Sequence, residues 1–236
     1  MTIYTARVHS TMAVAAETLQ VLLHGDVSLS WRPGQFITVQ IPNSEGRPLG
    51  RSYSIASRLD AVGSAEIVLL IKLVAAGVGS VYMAGLMAGD VVSFTGPWGK
   101  FIVAPTAPEV PAVFVGTGTG VAPFVPMIDE VLAQGRRVTL LAGFRHEQEY
   151  AEAMIPLAQW QATGRFDMHV MISQPSETWN GTRGRVTDYL RAHPEALVGA
   201  QLYICGNGSM VQEVREFAAE QGMTADQIFF EKYNAL

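Results

Sequence analysis

Cysteine is the rarest chemically useful residue in this chain: Cys205 stands alone among 236 residues. The chain can therefore build no intrachain disulfide framework, and no iron–sulfur cluster on four thiolates of its own. Charge is also sparse. Asp, Glu, Lys and Arg make up 16% of the sequence, the net charge is −5 and no basic run occurs, so nucleic acid is not expected as a partner. The five histidines, at positions 9, 24, 146, 169 and 193, never approach the short spacings of a metal site, and no metal is expected. Long apolar runs are missing as well. Met12 to Ala16 is cut off by Glu17, and Ile67 to Val78 is interrupted by Lys72. Neither resembles a leader or a membrane span, so the expectation is a cytoplasmic protein without membrane insertion.

What remains is a globular composition, 49% apolar, in a chain long enough for one large domain or two ordinary ones. The first hundred residues read as strands, over 3–9, 17–23, 36–41, 51–56, 66–74 and 91–95. Leu19, Val21 and Leu23 show the period of two. Turn chemistry separates them at Arg32-Pro33-Gly34, Pro42-Asn43, Ala88-Gly89-Asp90 and Gly96-Pro97. Six short strands and a brief helical patch near 80–87 predict a small antiparallel barrel over residues 1–104.

Prolines 105, 108 and 111 mark a stiff linker, after which the texture changes. Strands are expected at 112–116, 137–143, 166–173, 201–205 and 227–231. Helices are expected from Pro123 to Leu132 and over 147–162, 185–192 and 209–221. Phe124, Met127, Ile128, Val131 and Leu132 share one helix face. Strands alternating with helices imply right-handed crossovers and a parallel sheet in a second, Rossmann-like α/β domain over 110–236.

Five local patterns could carry chemistry, and each also has a plain structural reading. Gly116-Thr117-Gly118-Thr119-Gly120 lies between a strand and a helix, where backbone approaches a pyrophosphate closely. It fits a tight βα turn as well. Arg51-Ser52-Tyr53-Ser54 puts a cation and an aromatic ring on one strand face, either a cradle for a flat charged ligand or a surface arginine. Gly77-Val78-Gly79-Ser80 precedes a short helix, as a second phosphate position or a turn capped by Ser80. Cys205-Gly206 ends a strand of the parallel sheet, where ligands bind, although a lone cysteine there is also a common core residue. Glu231-Lys232-Tyr233 closes the last strand, as a site or as a fraying tail.

Taken in chain order, Arg51–Ser54, Gly77–Ser80, Gly116–Gly120 with Val121-Ala122-Pro123, Cys205-Gly206 and Glu231–Tyr233, the five patterns resemble the ferredoxin–NADP reductase family across essentially the whole chain. That resemblance implies a flavoprotein oxidoreductase that moves a hydride from NADH or NADPH to bound FAD and then single electrons to a protein. Arg51 would pair with flavin phosphate, Tyr53 would stack on the isoalloxazine and Ser54 would hydrogen-bond near its N5. Ser52, Gly77, Gly79, Ser80, Thr119 and Tyr233 would complete the FAD set. Gly116, Thr117, Gly118, Thr119 and Gly120 would receive the dinucleotide pyrophosphate, with Arg145, Cys205, Gly206 and Met210 beside them. Ser54, Cys205 and Glu231 would serve hydride transfer.

The implied acceptors are a ferredoxin, a flavodoxin or an oxygenase component. A free-flavin reductase and an electron-transfer subunit of a larger redox complex are the alternatives. Two features depart from the family pattern. Ser173-Gln174 stands where NADPH-using relatives often carry an arginine, which favours NADH unless Arg145, Arg183 or Arg185 compensates. The chain also continues past Tyr233 with Asn234-Ala235-Leu236.

Overall fold

The structure is a computed structural model and describes residues 2–25, 28–43 and 46–233; the Asn234–Leu236 extension lies outside the described residues. Residues up to Ile102, with Ala122–Met127, form one compact unit, and Val103–Val121 with the residues from Ile128 onward form a second.

The first unit contains β1 (Tyr4–Ala15), β2 (Thr18–Gly25), β3 (Phe36–Ile41), β4 (Leu49–Ser54), β5 (Glu66–Lys72), α1 (Val78–Ala84) and β6 (Val91–Trp98). Its strands pair antiparallel in the order β4-β3-β6-β1-β2-β5. A bridge between Ile55 and Leu69 brings the two edges of this order together. Closure of that kind removes the unpaired edges an open sheet would expose. The period of two does the packing. Val21, Leu23, Ile37, Val39, Ile67, Leu69, Ile71 and Val92 all point into one buried cluster.

The second unit contains β7 (Ala112–Thr117), β8 (Val138–Phe144), α3 (Leu157–Gln161), β9 (Phe166–Ile172), β10 (Thr182–Arg183), α4 (Val186–Ala192), β11 (Gln201–Asn207), α5 (Gly208–Glu220) and β12 (Ile228–Tyr233). Helix α2 (Phe124–Ala133) links β7 to β8 in sequence. All neighbours are parallel, in the order β10-β9-β8-β7-β11-β12. Strands β7 and β11 are buried nearly throughout, as expected of a sheet covered on both faces.

An aromatic ladder sets the register across three of these strands. Phe114 on β7, Tyr203 on β11 and Phe229 on β12 stack with centroids 4.9 and 5.0 Å apart. Two residues further along, the same register aligns Gly116, Cys205 and Glu231 in one row. At the other end of β11, the buried Arg136 donates to the Val110 carbonyl and to Gln201 Oε1, each at 2.8 Å. Tyr203 Oη donates to the same Gln201 oxygen and accepts from Ala104 N. The proline-marked segment is thus pinned to the sheet by neutral acceptors.

The expected helix over 147–162 is not continuous. Residues Glu147–Glu149 and Glu152–Met154 form single 3₁₀ turns, and only Leu157–Gln161 is α-helical. Tyr150 and Ala151 are already extended, with ψ of 135° and 140°, and Pro156 accounts for the second break. It has no N–H for an i−4 bond, and its ring drives Ile155 to an extended φ of −142° and ψ of 151°.

Candidate functional site

In the barrel unit, β4 brings Arg51 and Tyr53 to one face, both half-buried, while Ser52 between them is exposed. Ser52 Oγ lies 3.1 Å from Thr38 Oγ1 on the neighbouring strand, so it serves the sheet surface. Ser54 ends β4 and is buried. Helix α1 begins beside the Arg51–Tyr53 pair. A Cβ on Gly79 would stand only 3.1 Å from Arg51 Cγ and 3.1 Å from Tyr53 Oη. Glycine is what allows the helix backbone this close.

Arg51 Nη1 donates to the Gly50 carbonyl at 2.9 Å. Its Nε, in contrast, is buried and has no hydrogen-bond partner among the described residues, a condition shared only with Trp31 Nε1. Trp31 belongs to the barrel core, and nothing in the structure explains its orphan N–H. The Arg51 orphan has a chemical reading. A buried guanidinium N–H left unpaired is costly, and an anionic oxygen is its natural partner. Burial pushes the Tyr53 hydroxyl above its ordinary pKa, and the Arg51 charge partly offsets this. A neutral phenol beside a cation suits a flat ligand carrying phosphate, so the residues present fit a flavin nucleotide.

Ser80 does not cap α1. The capping position is Gly77, with extended backbone and no side-chain cap bond. Ser80 Oγ instead accepts from Val74 N at 2.8 Å and closes the turn before the helix, which leaves its proton to donate elsewhere.

In the parallel-sheet unit the site lies where the strand order reverses. β7 runs out to β8 on one side and has β11 on the other, and crevices at such points are where parallel sheets bind ligands. Gly118 takes a φ of +56° and starts a 3₁₀ turn over Gly118–Val121 that contains Thr119 and the buried Gly120. A Cβ at Gly120 would overlap the Cys205 carbonyl, and one at Gly206 (φ +135°) would overlap Thr117 Oγ1. That hydroxyl accepts from Asn207 N at 3.2 Å. Asn207 caps α5, its Oδ1 accepting from Ser209 N at 2.9 Å. Asn207 was missed in the sequence, although Asn-Gly-Ser before an apolar-periodic run is a capping signature.

Cys205 is fully buried. Burial and the neighbouring Glu231 carboxylate push its thiol well above its usual value, against a hydrogen bond from the Tyr233 side chain that lowers it. Cys205, Glu231 and Tyr233 therefore form one cluster at the ends of β11 and β12. Met210 is buried in the hydrophobic cluster under α5. Arg145 directly follows β8 in the chain and is exposed, with Nε donating to Gln174 Oε1 at 3.2 Å.

Known proteins combine the same two units. Residues 7–102 match the oxidoreductase FAD-binding domain family and residues 114–216 the oxidoreductase NAD-binding domain family. The ferredoxin–NADP reductase B of Sorangium cellulosum is 33% identical over 212 residues, covering 85% of this chain and 84% of that protein. The anthranilate 1,2-dioxygenase electron transfer component of Acinetobacter baylyi is 29% identical, over 95% of this chain and 70% of that protein. The toluate 1,2-dioxygenase electron transfer component of Pseudomonas putida is 30% identical, and the match spans 60% of its length. Among solved structures, a cytochrome P450 reductase from Amycolatopsis superposes with a TM-score of 0.86 at 28% identity, covering 98% of this chain and 69% of that one. The chain belongs to the ferredoxin–NADP reductase family of FAD- and NAD-binding oxidoreductases.

Proposed function

We propose that this protein holds FAD on its barrel unit, takes a hydride from NADH or NADPH on its parallel-sheet unit, and delivers single electrons to a protein acceptor in the cytoplasm. The observation that carries this reading is the buried Nε of Arg51, without a hydrogen-bond partner among the described residues, on a side chain against which Gly79 packs with no Cβ of its own.

When bound, the flavin supplies the conversion of a two-electron hydride into single electrons. The protein has to position and to exclude. Arg51 would pair with a flavin phosphate, and Gly77, Gly79 and the Ser80 proton would serve the second phosphate. Tyr53 would offer its ring to the isoalloxazine, and Ser54 would supply a hydrogen bond to the flavin ring. The Gly116–Gly120 turn presents backbone N–H groups to the dinucleotide pyrophosphate, with Gly206 keeping the neighbouring strand end low enough for the ligand to approach.

Hydride transfer needs no acid or base at the carbon, only near-contact geometry. Cys205 fits that requirement. Its raised pKa keeps the thiol neutral near pH 7, so it is a soft contact for the nicotinamide and not a nucleophile. Burial, and after it the Glu231 carboxylate, keeps it so against the hydrogen bond from Tyr233.

The relatives named for dioxygenase electron transfer favour an oxygenase component, or the ferredoxin serving one, as acceptor. A free-flavin reductase is the competing reading, and Arg51 argues for a held flavin over a diffusing one. Purification should yield a yellow protein with about one FAD per chain, bleached by NAD(P)H under anaerobic conditions and reoxidised by a ferredoxin or an oxygenase component. Flavin lost on gel filtration and turned over only as free substrate would establish the competing reading.

A further inference from the structure

The parallel sheet also carries information on which dinucleotide is accepted. If the pyrophosphate sits on the turn after β7 and the nicotinamide lies toward Cys205 on β11, the adenosine half extends the other way. It passes over the carboxyl ends of β8 and β9, where dinucleotide folds read the ribose 2′ position. Arg145, Glu147 and Glu149 follow β8; Gln174 and Ser176 follow β9, and Arg183 stands on β10.

The two acids are held in place. Glu147 Oε1 accepts from Ser176 N at 2.9 Å and from Ser176 Oγ at 2.7 Å, across 29 residues of sequence. Glu149 Oε2 accepts from Arg145 N at 3.1 Å. The cations are engaged elsewhere. Arg145 Nε donates to Gln174 Oε1. Arg183 Nη2 lies 3.1, 3.2 and 2.9 Å from the carbonyls of Ser176, Glu177 and Trp179, closing the β9–β10 loop on itself. Trp179 braces the same loop, with Nε1 donating to the Thr182 carbonyl at 3.1 Å.

We infer that Glu147, oriented by Ser176, selects NADH over NADPH. The inference rests on the proposed binding of a dinucleotide at the β7 turn. A ribose 2′-hydroxyl can donate to the carboxylate, which Ser176 grips by only one of its oxygens. A 2′-phosphate brings roughly two negative charges near neutral pH and faces the same carboxylate as a like charge. Arg183 cannot turn to neutralise it without releasing three carbonyls and opening the loop.

The test uses the full chain loaded with FAD, NADH and NADPH as hydride donors, and ferricyanide as electron acceptor. Binding of AMP and of 2′-phospho-AMP by calorimetry gives a second readout that does not depend on turnover. The wild type should favour NADH by at least about tenfold in kcat/KM, equivalent to about 1.4 kcal/mol, and should bind AMP more tightly than 2′-phospho-AMP. Glu147→Gln, which keeps shape and removes charge, should raise kcat/KM for NADPH by roughly tenfold while changing that for NADH by less than about threefold. Ser176→Ala, which leaves the charge but frees it, should lower the NADH preference by a smaller factor. An NADPH preference in the wild type, or an unchanged ratio in Glu147→Gln, overturns the inference. Failure of both dinucleotides to reduce the flavin would instead overturn the function on which it rests.

Discussion

On the proposed function the two candidate binding regions would hold phosphate in opposite ways. At the Arg51–Tyr53–Gly79 corner the half-buried guanidinium keeps one buried N–H, Nε, without a partner among the described residues. At the Gly116–Gly120 turn the side chains are already engaged, Thr117 Oγ1 by Asn207 N and Asn207 Oδ1 by Ser209 N, and Gly120 is packed on the Cys205 carbonyl, so that backbone N–H groups are what the turn would offer a ligand. An unsatisfied buried donor costs about 1–3 kcal/mol, and a ligand that pairs with it recovers that free energy on binding. On the proposed function the barrel corner suits a ligand that stays, and the turn after β7, which holds no buried orphan side-chain donor among the described residues, suits one that comes and goes.

The largest effect expected from this contrast is at Gly120. Gly120→Ala places a methyl against the Cys205 backbone, where nothing can give cheaply. It should destabilise the parallel-sheet unit by about 3 kcal/mol or more by overpacking, seen as an early calorimetric transition, while FAD is still retained. Simultaneous loss of FAD would break the comparison, since the two regions would not be independent.

Arg51→Gln comes next. It should weaken FAD binding by about 1.5–3 kcal/mol, the worth of a hydrogen bond to a charged group, or roughly tenfold to a hundredfold in Kd. The apoprotein should lose no thermal stability, because the variant also removes an orphan. A large fall in apoprotein melting temperature would mean that Arg51 is a structural residue.

Cys205→Ala tests the other region. The thiol is fully buried, so the variant should cost about 1 kcal/mol, leave FAD content unchanged and slow flavin reduction in single turnover. It should also alter the alkaline limb of stability. The unfolded thiol ionises near its usual 9.0 while the folded one is held well above it. Above that pH the unfolded chain binds fewer protons, so stability falls as pH rises, by up to about 1.4 kcal/mol per pH unit for this group. The slope should be shallower in Cys205→Ala. An identical slope would show that the buried tyrosines alone set it.

Ser52→Ala should do least. Exposed and bonded only to Thr38, it should change stability by no more than about 0.5 kcal/mol and leave FAD affinity alone, although it lies next to Arg51.

Much of the fold was legible because its signals are local. Leu19, Val21 and Leu23 announce a half-buried strand by their spacing, and they are buried in the barrel core or at its margin. Pro156, inside the helix expected at 147–162, is itself a local signal for a break. Thr182–Arg183 was invisible as a strand, since a two-residue edge takes its identity from β9 and not from its own residues.

By itself the sequence determined the division into a barrel and a parallel sheet, the glycine turns, and the types of residue available for chemistry. These follow from side-chain periodicity, from backbone freedom at glycine and from proline's missing N–H, all properties of a residue and its near neighbours. Only the tertiary structure decided that Gly79 lies against Arg51 and Tyr53, that Cys205 is buried beside Glu231, and that Ser176 holds Glu147. Those pairs are 26 to 29 residues apart in sequence. Whether such residues meet depends on strand order and register, set by the packing of whole sheets, and no local pattern encodes that.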